Sequence, residues 1–251
     1  MRCIADFLAG LLAHGRGIAY AFANPSYLPL LLIPFLLTLG LFALGLYMLF
    51  NHAEPMLHYF WSVDPTTAGT ATSVMYWIYT HIVKYLLYLF LIVVQYFLFM
   101  VVANILASPL YDYIADKLRR RGPYAADLAA VLPREIGILA LMREELKKAV
   151  FTLGLPLALL LIPIIGPFIG LPVAMIMLAW DYTDFSLVRD RPTLRERLRY
   201  IRQHLFLMLG FGSLLLVPFL NFLLFPFAVL SAALLYHQRL AEERARGGGQ
   251  A

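Results

Sequence analysis

The sequence predicts an all-α integral membrane protein with two long transmembrane helices, two partly inserted (re-entrant) helical hairpins and amphipathic cytoplasmic helices. Hydrophobic residues make up 62% of the 251 residues and charged residues 14%, against about 45–50% and 25% in soluble domains. A soluble fold of this length cannot bury so much apolar surface, because its surface-to-volume ratio is too high. Each of four stretches without Asp, Glu, Lys or Arg exceeds the roughly 20 residues that a membrane-spanning helix needs. These stretches are 17–53, 85–111, 149–180 and 205–238.

The first two stretches predict ordinary transmembrane helices, over residues 27–50 and 75–107. Aromatic residues cluster around Lys84 in the second helix, as they do at a membrane–water boundary. We favour a boundary lysine that extends its ammonium group outward over a functional lysine inside the membrane. The preceding segment, 1–26, could form an amphipathic helix on the membrane surface. Three glycines weaken that helix prediction: Gly10, Gly15 and Gly17.

The last two stretches are each interrupted by proline and glycine, which break helices. The interrupting residues, which we assign to hairpin tips, are Pro163, Gly166 and Pro167 in 149–180, and Pro218, Asn221 and Pro226 in 205–238. The apolar halves are about 13 or 14 residues long. At 1.5 Å per residue they reach roughly 20 Å, which is too short for a hydrocarbon core of ~30 Å. Each stretch is therefore either one kinked span or a hairpin that enters and leaves on the same side.

The distribution of basic residues favours hairpins. The segments 104–149 and 181–204 carry eight and six basic residues, while the loop 51–75 carries none. Basic residues concentrate on the cytoplasmic side of membrane proteins. Two hairpins place every basic segment on that side and the loop outside, whereas a single crossing by 149–180 would place six arginines outside. Irregular backbone at the tips must then be buried in protein or face a wet cavity.

The charged segments between the apolar stretches predict cytoplasmic helices. In 108–148, the pair Ser108–Pro109 indicates a helix start, with a capping hydroxyl before a proline at the first helical position. In 181–204, the run Thr193–Glu196 forms a capping box. The tail, 239–251, ends in glycines and is predicted to be flexible.

Catalytic and metal-binding signals are weak. The chain has no Gly-rich phosphate loop, nucleophile elbow or His-Glu-x-x-His motif, so we expect no enzyme and no cofactor; an intramembrane enzyme without a motif stays open as a third reading. His52, Glu54 and His58 share the outer loop, but solvated side chains are favoured there over a metal site. The single cysteine, Cys3, excludes an internal disulfide. The net charge of +5 bears first on topology, and we expect no nucleic-acid partner.

An anion site has better support, at the start of the first span. Asn24, Pro25 and Ser26 directly precede that helix, so we expect the backbone N–H groups of Ser26, Tyr27 and Leu28 to point outward. Such a helix start binds anions through its donors and its dipole together. An ordinary helix cap is the simpler alternative.

A polar route ahead of the third stretch is the second candidate. Arg143 and Glu144 could pair with each other or with Asp184 along a pore lining. As exposed helix residues they would carry no function, and the sequence favours neither reading.

Several short motifs resemble the CysZ-type sulfate permeases of bacterial inner membranes, in order and over nearly the whole chain. They are Asn24-Pro25 with Pro34, Ala103-Asn104-Ile105 leading to Pro109, Met142-Arg143-Glu144, Ile162 to Pro167, Asp181 to Phe185, and Val217 to Pro226. The resemblance implies two long membrane helices, two partly inserted hairpins, homo-oligomers, and sulfate uptake that feeds cysteine synthesis. Such permeases carry an arginine pair just after the first motif, where this chain has Leu28 and Pro29.

We therefore expect a channel-like pathway for sulfate or sulfite across the bacterial inner membrane. The anion would bind at Asn24–Leu28, and four polar residues would line the route: Arg143, Glu144, Asp184 and Asn104. Membrane lipid and further copies of the chain are the other expected partners. The alternative is a structural or regulatory membrane protein whose basic face, residues 117–148 and 189–202, binds anionic lipid or a partner.

Overall fold

The computed structural model describes residues 2–60, 74, 77–129, 137–160, 162 and 165–247. Within these ranges every regular element is a helix, which confirms the all-α prediction. The helices are α1 (Arg2–Ala23), α2 (Leu28–Phe60), α3 (Lys84–Arg121), α4 (Ala125–Leu128), α5 (Ile138–Leu160), α6 (Ile165–Asp190), α7 (Leu194–Gln203), α8 (Leu205–Leu215) and α9 (Pro218–Gly247), with a 3₁₀ turn at Pro25–Tyr27 and a π-helical turn at Tyr79–Val83.

Three helical stretches of the described chain are long and apolar enough to cross a membrane: Pro25–His52, Phe168–Asp190 and Leu223–Arg246. Of these, the first contains the predicted span 27–50. The chain forms two compact units, one of residues 33–108 and the other of 1–32 with 109–251.

The unit of residues 33–108 contains most of α2 and the first two thirds of α3. These two helices approach closely at Gly45, which lies against the side-chain amide of Gln95. Any Cβ at position 45 would overlap that amide, so the close approach depends on glycine. Large apolar side chains lie exposed along both helices, as is typical of helices that face lipid. Examples are Ile33, Leu36, Tyr47, Phe50, Tyr85 and Phe90.

The predicted helix start at Ser108–Pro109 is wrong. Helix α3 continues from Lys84 to Arg121 with Pro109 inside it, so the second predicted span and the basic helix after it are one helix. A proline inside a helix removes one backbone hydrogen bond and kinks the helix. The helix nevertheless continues where tertiary packing holds the residues before and after the proline. Packing does so here, because the residues after Pro109 bury a face with helical spacing. That face consists of Tyr111, Ile114, Ala115 and Leu118.

The chain turns back between α5 and α6, which we call hairpin 1. At its base, Phe151 and Trp180 have ring centroids 6.0 Å apart. Ile162 lies between the two helices; Gly166 and Pro167 lie in the first turn of α6, and Pro163 is outside the described residues. The argument that each half is too short to cross fails for α6, because this helix runs on through the charged residues to Asp190. The return of the chain, and not helix length, supports a hairpin; its depth in the membrane stays a prediction.

Helices α8 and α9 form hairpin 2, which turns at Leu216–Val217. Near its base, the ring centroids of Tyr200 and Tyr236 are 5.4 Å apart. Pro218 is the first residue of α9, but Asn221 and Pro226 lie inside that helix and not in the turn, which corrects their predicted place at the tip. The span candidate in α9 is 67% buried within the protein. Its apolar residues therefore form much of the core.

Helix α1 packs on hairpin 2, and its glycines make this possible. A Cβ at Gly10 would overlap the carbonyl of Leu207, one at Gly210 the carbonyl of Phe7, and one at Gly17 the side chain of Ser231. Two of the three glycines that seemed to weaken this helix, Gly10 and Gly17, are thus points of close helix contact, whereas a Cβ at Gly15 would meet nothing within 4 Å. The opposite face of α1 leaves large apolar side chains exposed, namely Ile4, Leu8, Leu12 and Phe22. Contact of this face with a membrane surface stays a prediction.

Candidate functional site

The turn Asn24–Leu28 joins α1 to α2. The Asn24 side-chain amide donates to the carbonyl of Tyr20 at 3.0 Å. The backbone N–H of Tyr27 donates to the Asn24 carbonyl at 3.0 Å, and that of Leu28 donates to the Pro25 carbonyl. Of the three backbone N–H groups expected to point outward, those of Tyr27 and Leu28 are therefore already hydrogen-bonded. This follows from the 3₁₀ turn, in which each N–H bonds to the carbonyl three residues earlier.

Lys117 of α3 reaches this turn. Its ammonium group donates to the Ser26 carbonyl at 3.0 Å and to the Ser26 hydroxyl at 3.1 Å, and it lies 4.3 Å from the centroid of the Tyr27 ring. All of these partners are neutral. The turn thus has an adjacent cation, although Leu28 and Pro29 themselves carry no charge.

A buried charge network lies at the base of hairpin 1. Asp184 accepts hydrogen bonds from Arg197 at 2.8 Å, Lys148 at 2.9 Å and the Trp180 indole at 2.9 Å. Arg197 of α7 is fully buried, and it also donates to Glu145 at 2.8 Å and to the Pro192 carbonyl at 2.9 Å. One guanidinium therefore ties α5, α6 and α7 together.

Glu144 and Arg143 lie beside this network. Glu144 accepts from the backbone N–H of Leu194 at 2.8 Å and from Lys147; these bonds hold the pKa of the Glu144 carboxyl below its usual value, the Lys147 bond most strongly. The Arg143 guanidinium is 3.8 Å from Glu144 and its side chain is 72% exposed. The sequence left two partners open for Arg143, namely Glu144 and Asp184. Among the described ion pairs, Arg143 pairs with Glu144 and not with Asp184.

The charge state of Lys148 follows from its two carboxylate neighbours. Burial alone would lower the pKa of this ammonium, but the attraction of Asp184 and Asp181 outweighs burial and raises the pKa above its usual value. The ammonium stays protonated at neutral pH, 2.9 Å from Asp184 and 3.4 Å from Asp181. The buried cations at the base of hairpin 1, Lys148 and Arg197, are therefore neutralised by carboxylates.

A second network ties α3 to α6 and α9. Arg119 pairs with Asp190 at 2.8 Å, and both side chains are buried. The Tyr236 hydroxyl donates to the same carboxylate at 3.0 Å, while Arg189 pairs with Asp116 at 3.1 Å. These contacts fix the last turns of α3 against hairpins 1 and 2.

The remaining predicted residues carry no described contact with either site. The side chain of Asn104 and the residues Glu54 and His58 have no described side-chain surroundings, and His52 is exposed on α2. Among the described residues no three His, Cys, Asp or Glu side chains cluster as a metal site.

Sequence reasoning missed Lys117, Lys148, Trp180 and Arg197 as members of these clusters. One signal was available for Arg197: it shares a helix face with Tyr200 and Ile201, at spacings of three and four residues after a capping box. An arginine on the apolar face of a helix has to find carboxylates, because a buried charge is costly unless it is paired. The contacts of Lys117 and Lys148 join residues distant in sequence and leave no local pattern, whereas Trp180 lies four residues before Asp184 on the same helix.

The geometry defines a helical membrane protein whose hairpins are held at their bases by ion pairs, with a cation beside the turn that opens its first span. The chain belongs to the family described as Sulfate transporter CysZ/Etoposide-induced protein 2.4, which it matches over residues 13–226. This confirms the resemblance found in the sequence.

Relatives from several bacteria carry the name Sulfate transporter CysZ. The protein from Pectobacterium atrosepticum is 26% identical over 247 residues, which cover 90% of this chain and 86% of the relative. That from Vibrio cholerae is 24% identical over 246 residues, covering 90% and 91%. That from Pseudomonas paraeruginosa is 27% identical over 181 residues, covering 65% and 71%.

Proposed function

We propose that the protein is not an enzyme but carries a small oxyanion, sulfate or sulfite, across the bacterial inner membrane by a passive, channel-like route that supplies cysteine synthesis. The anion binds at Asn24–Leu28. Membership of a family that is named for a sulfate transporter supports the substrate class.

The observation that carries this proposal is the position of Lys117. Its ammonium group has three donors, two of which bind Ser26. No ion pair among the described residues involves Lys117, whereas Lys148 and Arg197 are each paired with carboxylates. Lys117 therefore keeps one donor and its full charge available beside the turn. Charge-assisted hydrogen bonds of this kind are roughly twice as strong as neutral ones.

Arg143, Glu144, Asp184 and Asn104 line the route in this proposal. Arg143 is the residue of this set best placed to meet an ion in solution, because its side chain is largely exposed. The family resemblance adds assembly into homo-oligomers, which the mass of the detergent-solubilised protein tests.

Uptake of radiolabelled sulfate into proteoliposomes tests the function, with chloride, phosphate and sulfite as competitors. We expect saturable uptake that sulfite blocks, and no uptake above empty vesicles would contradict the proposal. Lys117→Gln should weaken uptake about tenfold, since it removes one charge-assisted bond. Lys117→Arg should retain most of it, and Arg244→Gln, at an exposed position near the end of α9, is the matched control for loss of a charge.

Arg143→Ala should lower the flux without unfolding the protein, since its side chain is mostly exposed. Unchanged flux would remove Arg143 from the route. Comparing the flux of Lys117→Gln with that of Arg143→Ala shows whether transport depends on the turn Asn24–Leu28, on the base of hairpin 1, or on both.

The second candidate is a structural or regulatory role in which the basic face, residues 117–148 and 189–202, binds anionic lipid. It has one supporting observation: Arg120 and Arg143 of this face are 75% and 72% exposed. Flux that survives in vesicles of purely neutral lipid favours the transporter. Binding to anionic vesicles with no flux in either vesicle type favours the second role.

A further inference from the structure

A cavity of about 170 Å³ lies between α1, the turn before α4, and α9. Its volume is below the roughly 300–1,000 Å³ of pockets for drug-sized ligands, so it suits a small ligand. The lining residues combine one cation with hydroxyl, amide and apolar groups: Ala13, Arg16, Tyr20, Pro123, Tyr124, Ser231, Leu234, Leu235 and Gln238.

Arg16 is the cation of this lining, and its described partners are neutral. Its guanidinium donates to the side-chain oxygen of Gln238 at 2.6 Å and to the Ala9 carbonyl at 3.1 Å. A guanidinium has five N–H donors, so three have no partner among the described residues. No described ion pair includes Arg16, whereas Arg239 nearby in α9 pairs with both Asp6 and Glu242.

A chain of hydrogen bonds orients the guanidinium. The Gln238 amide nitrogen donates to Glu242 at 2.9 Å, and this bond directs the amide oxygen to Arg16. Glu242 is itself paired with Arg239 at 3.1 Å. The negative charge of Glu242 is thus balanced by Arg239, and the charge of Arg16 is left for another partner.

We propose that this cavity is a second oxyanion site, separate from the turn Asn24–Leu28, in which Arg16 provides the charge-assisted donors. The hydroxyl groups of Tyr20 and Tyr124 in its lining suit the polar edge of an oxyanion, whereas the Ser231 hydroxyl already donates to the Phe227 carbonyl at 2.8 Å. Pro123, Leu234 and Leu235 form the apolar side of the lining, while Arg16 itself is exposed, so an ion can reach its guanidinium from solution. The oxyanion is either a free inorganic ion or the phosphate of a lipid headgroup.

Equilibrium binding of radiolabelled inorganic sulfate to the purified full-length protein in detergent tests the site. We expect two sulfate ions per chain, with Arg16→Gln removing one and Lys117→Gln removing the other. Arg16→Lys should keep the site with weaker affinity, because an ammonium group lacks the planar fork of donors. Arg244→Gln is the matched control and should bind two.

The two sites fail independently in this experiment. If Arg16→Gln binds as wild type does and Lys117→Gln loses its sulfate, the cavity proposal is overturned and the proposed function stands. If only Arg16→Gln loses sulfate, the cavity is supported and the turn is not the binding site. Leu234→Phe, which narrows the cavity without touching Arg16, should also remove the second sulfate and serves if Arg16→Gln does not fold.

Lipid phosphate is distinguished by phosphorus analysis of the protein purified from membranes. If wild type retains about one anionic phospholipid per chain more than Arg16→Gln, a headgroup occupies the cavity and the oxyanion site is supported with that occupant. If Arg16→Gln binds as much sulfate and retains as much phospholipid as wild type, the proposal is overturned.

Discussion

Replacing Arg197 by leucine tests whether the buried network holds hairpin 1 together. The guanidinium is fully buried and bonds to Asp184, Glu145 and the Pro192 carbonyl. Removing one partner of a buried ion pair costs about 3–5 kcal/mol, because the other charge stays buried without compensation.

The structure places the expected cost at the lower end of that range. Asp184 keeps Lys148 and the Trp180 indole as donors after the substitution. The Glu145 side chain is 44% exposed, so water can hydrate it, and surface pairs contribute little. We therefore expect a loss of about 3 kcal/mol, which for a chain of this size lowers the melting temperature by roughly 6–12 °C.

The assay is thermal and denaturant unfolding in detergent, followed by tryptophan fluorescence. Arg199→Leu is the matched control, since Arg199 lies on the exposed face of the same helix and should change the free energy of unfolding by no more than about 0.5 kcal/mol. Arg197→Lys should fall between the two, because one ammonium group cannot reproduce the forked contacts.

Equal stability of Arg197→Leu and Arg199→Leu would refute the reasoning, since the guanidinium would then gain nothing from its partners. A double-mutant cycle of Arg197→Leu with Asp184→Asn gives a second check. Groups in direct contact show coupling of about 0.5–3 kcal/mol, and a coupling of zero would mean that the 2.8 Å contact does not stabilise the fold.

Three further predictions concern packing and pH. Gly210→Ala should destabilise the fold by about 1–3 kcal/mol or more in denaturant unfolding, because the new Cβ would overlap the Phe7 carbonyl. In contrast, the new Cβ of Gly15→Ala would meet nothing within 4 Å, so this variant should stabilise α1 by up to about 1 kcal/mol. Burial lowers the pKa of His14 from 6.5, so the unfolded chain takes up the proton first and stability falls as the pH drops below 6.5; His14→Gln should flatten this dependence between about pH 7 and 5. The pKa of Glu144 lies below 4.5, so its stabilising contribution is present at neutral pH and is lost on acidification below 4.5; an unchanged acid limb in Glu144→Gln would contradict this.

Much of the fold could be predicted from the sequence, because lipid imposes long apolar stretches and proline interrupts them at visible places. The first span, the breaks before α6 and α9, and the capping box of Thr193 with Glu196 all follow from local chemistry, and the structure confirms the capping box. The prediction was wrong where tertiary packing outweighs a local signal. Pro109 does not end α3, since the buried face from Tyr111 to Leu118 holds the helix on its far side.

Apart from Arg197, the membership of the charge clusters could not be predicted, because the same residue types recur through every basic segment. Arg143 and Arg197 both lie in segments predicted to be cytoplasmic, yet one is 72% exposed and the other fully buried. Lys117 and Ser26 are 91 residues apart in sequence, and no periodicity connects them. Only the packing of α3 beside the turn after α1 brings them together.

The placement of the cations changes which residues should matter most for an anion. The sequence placed the bound anion at the turn Asn24–Leu28 and a polar route at the hairpin base, with Arg143. At the base, Lys148 and Arg197 are paired with carboxylates, so little positive charge is left to attract an ion there. Lys117 and Arg16 contact only neutral groups among the described residues, and an anion next to them gains charge-assisted bonds without breaking an ion pair. We therefore expect Lys117→Gln to weaken sulfate binding more than Arg143→Ala does, and the opposite order would return the binding site to the hairpin base.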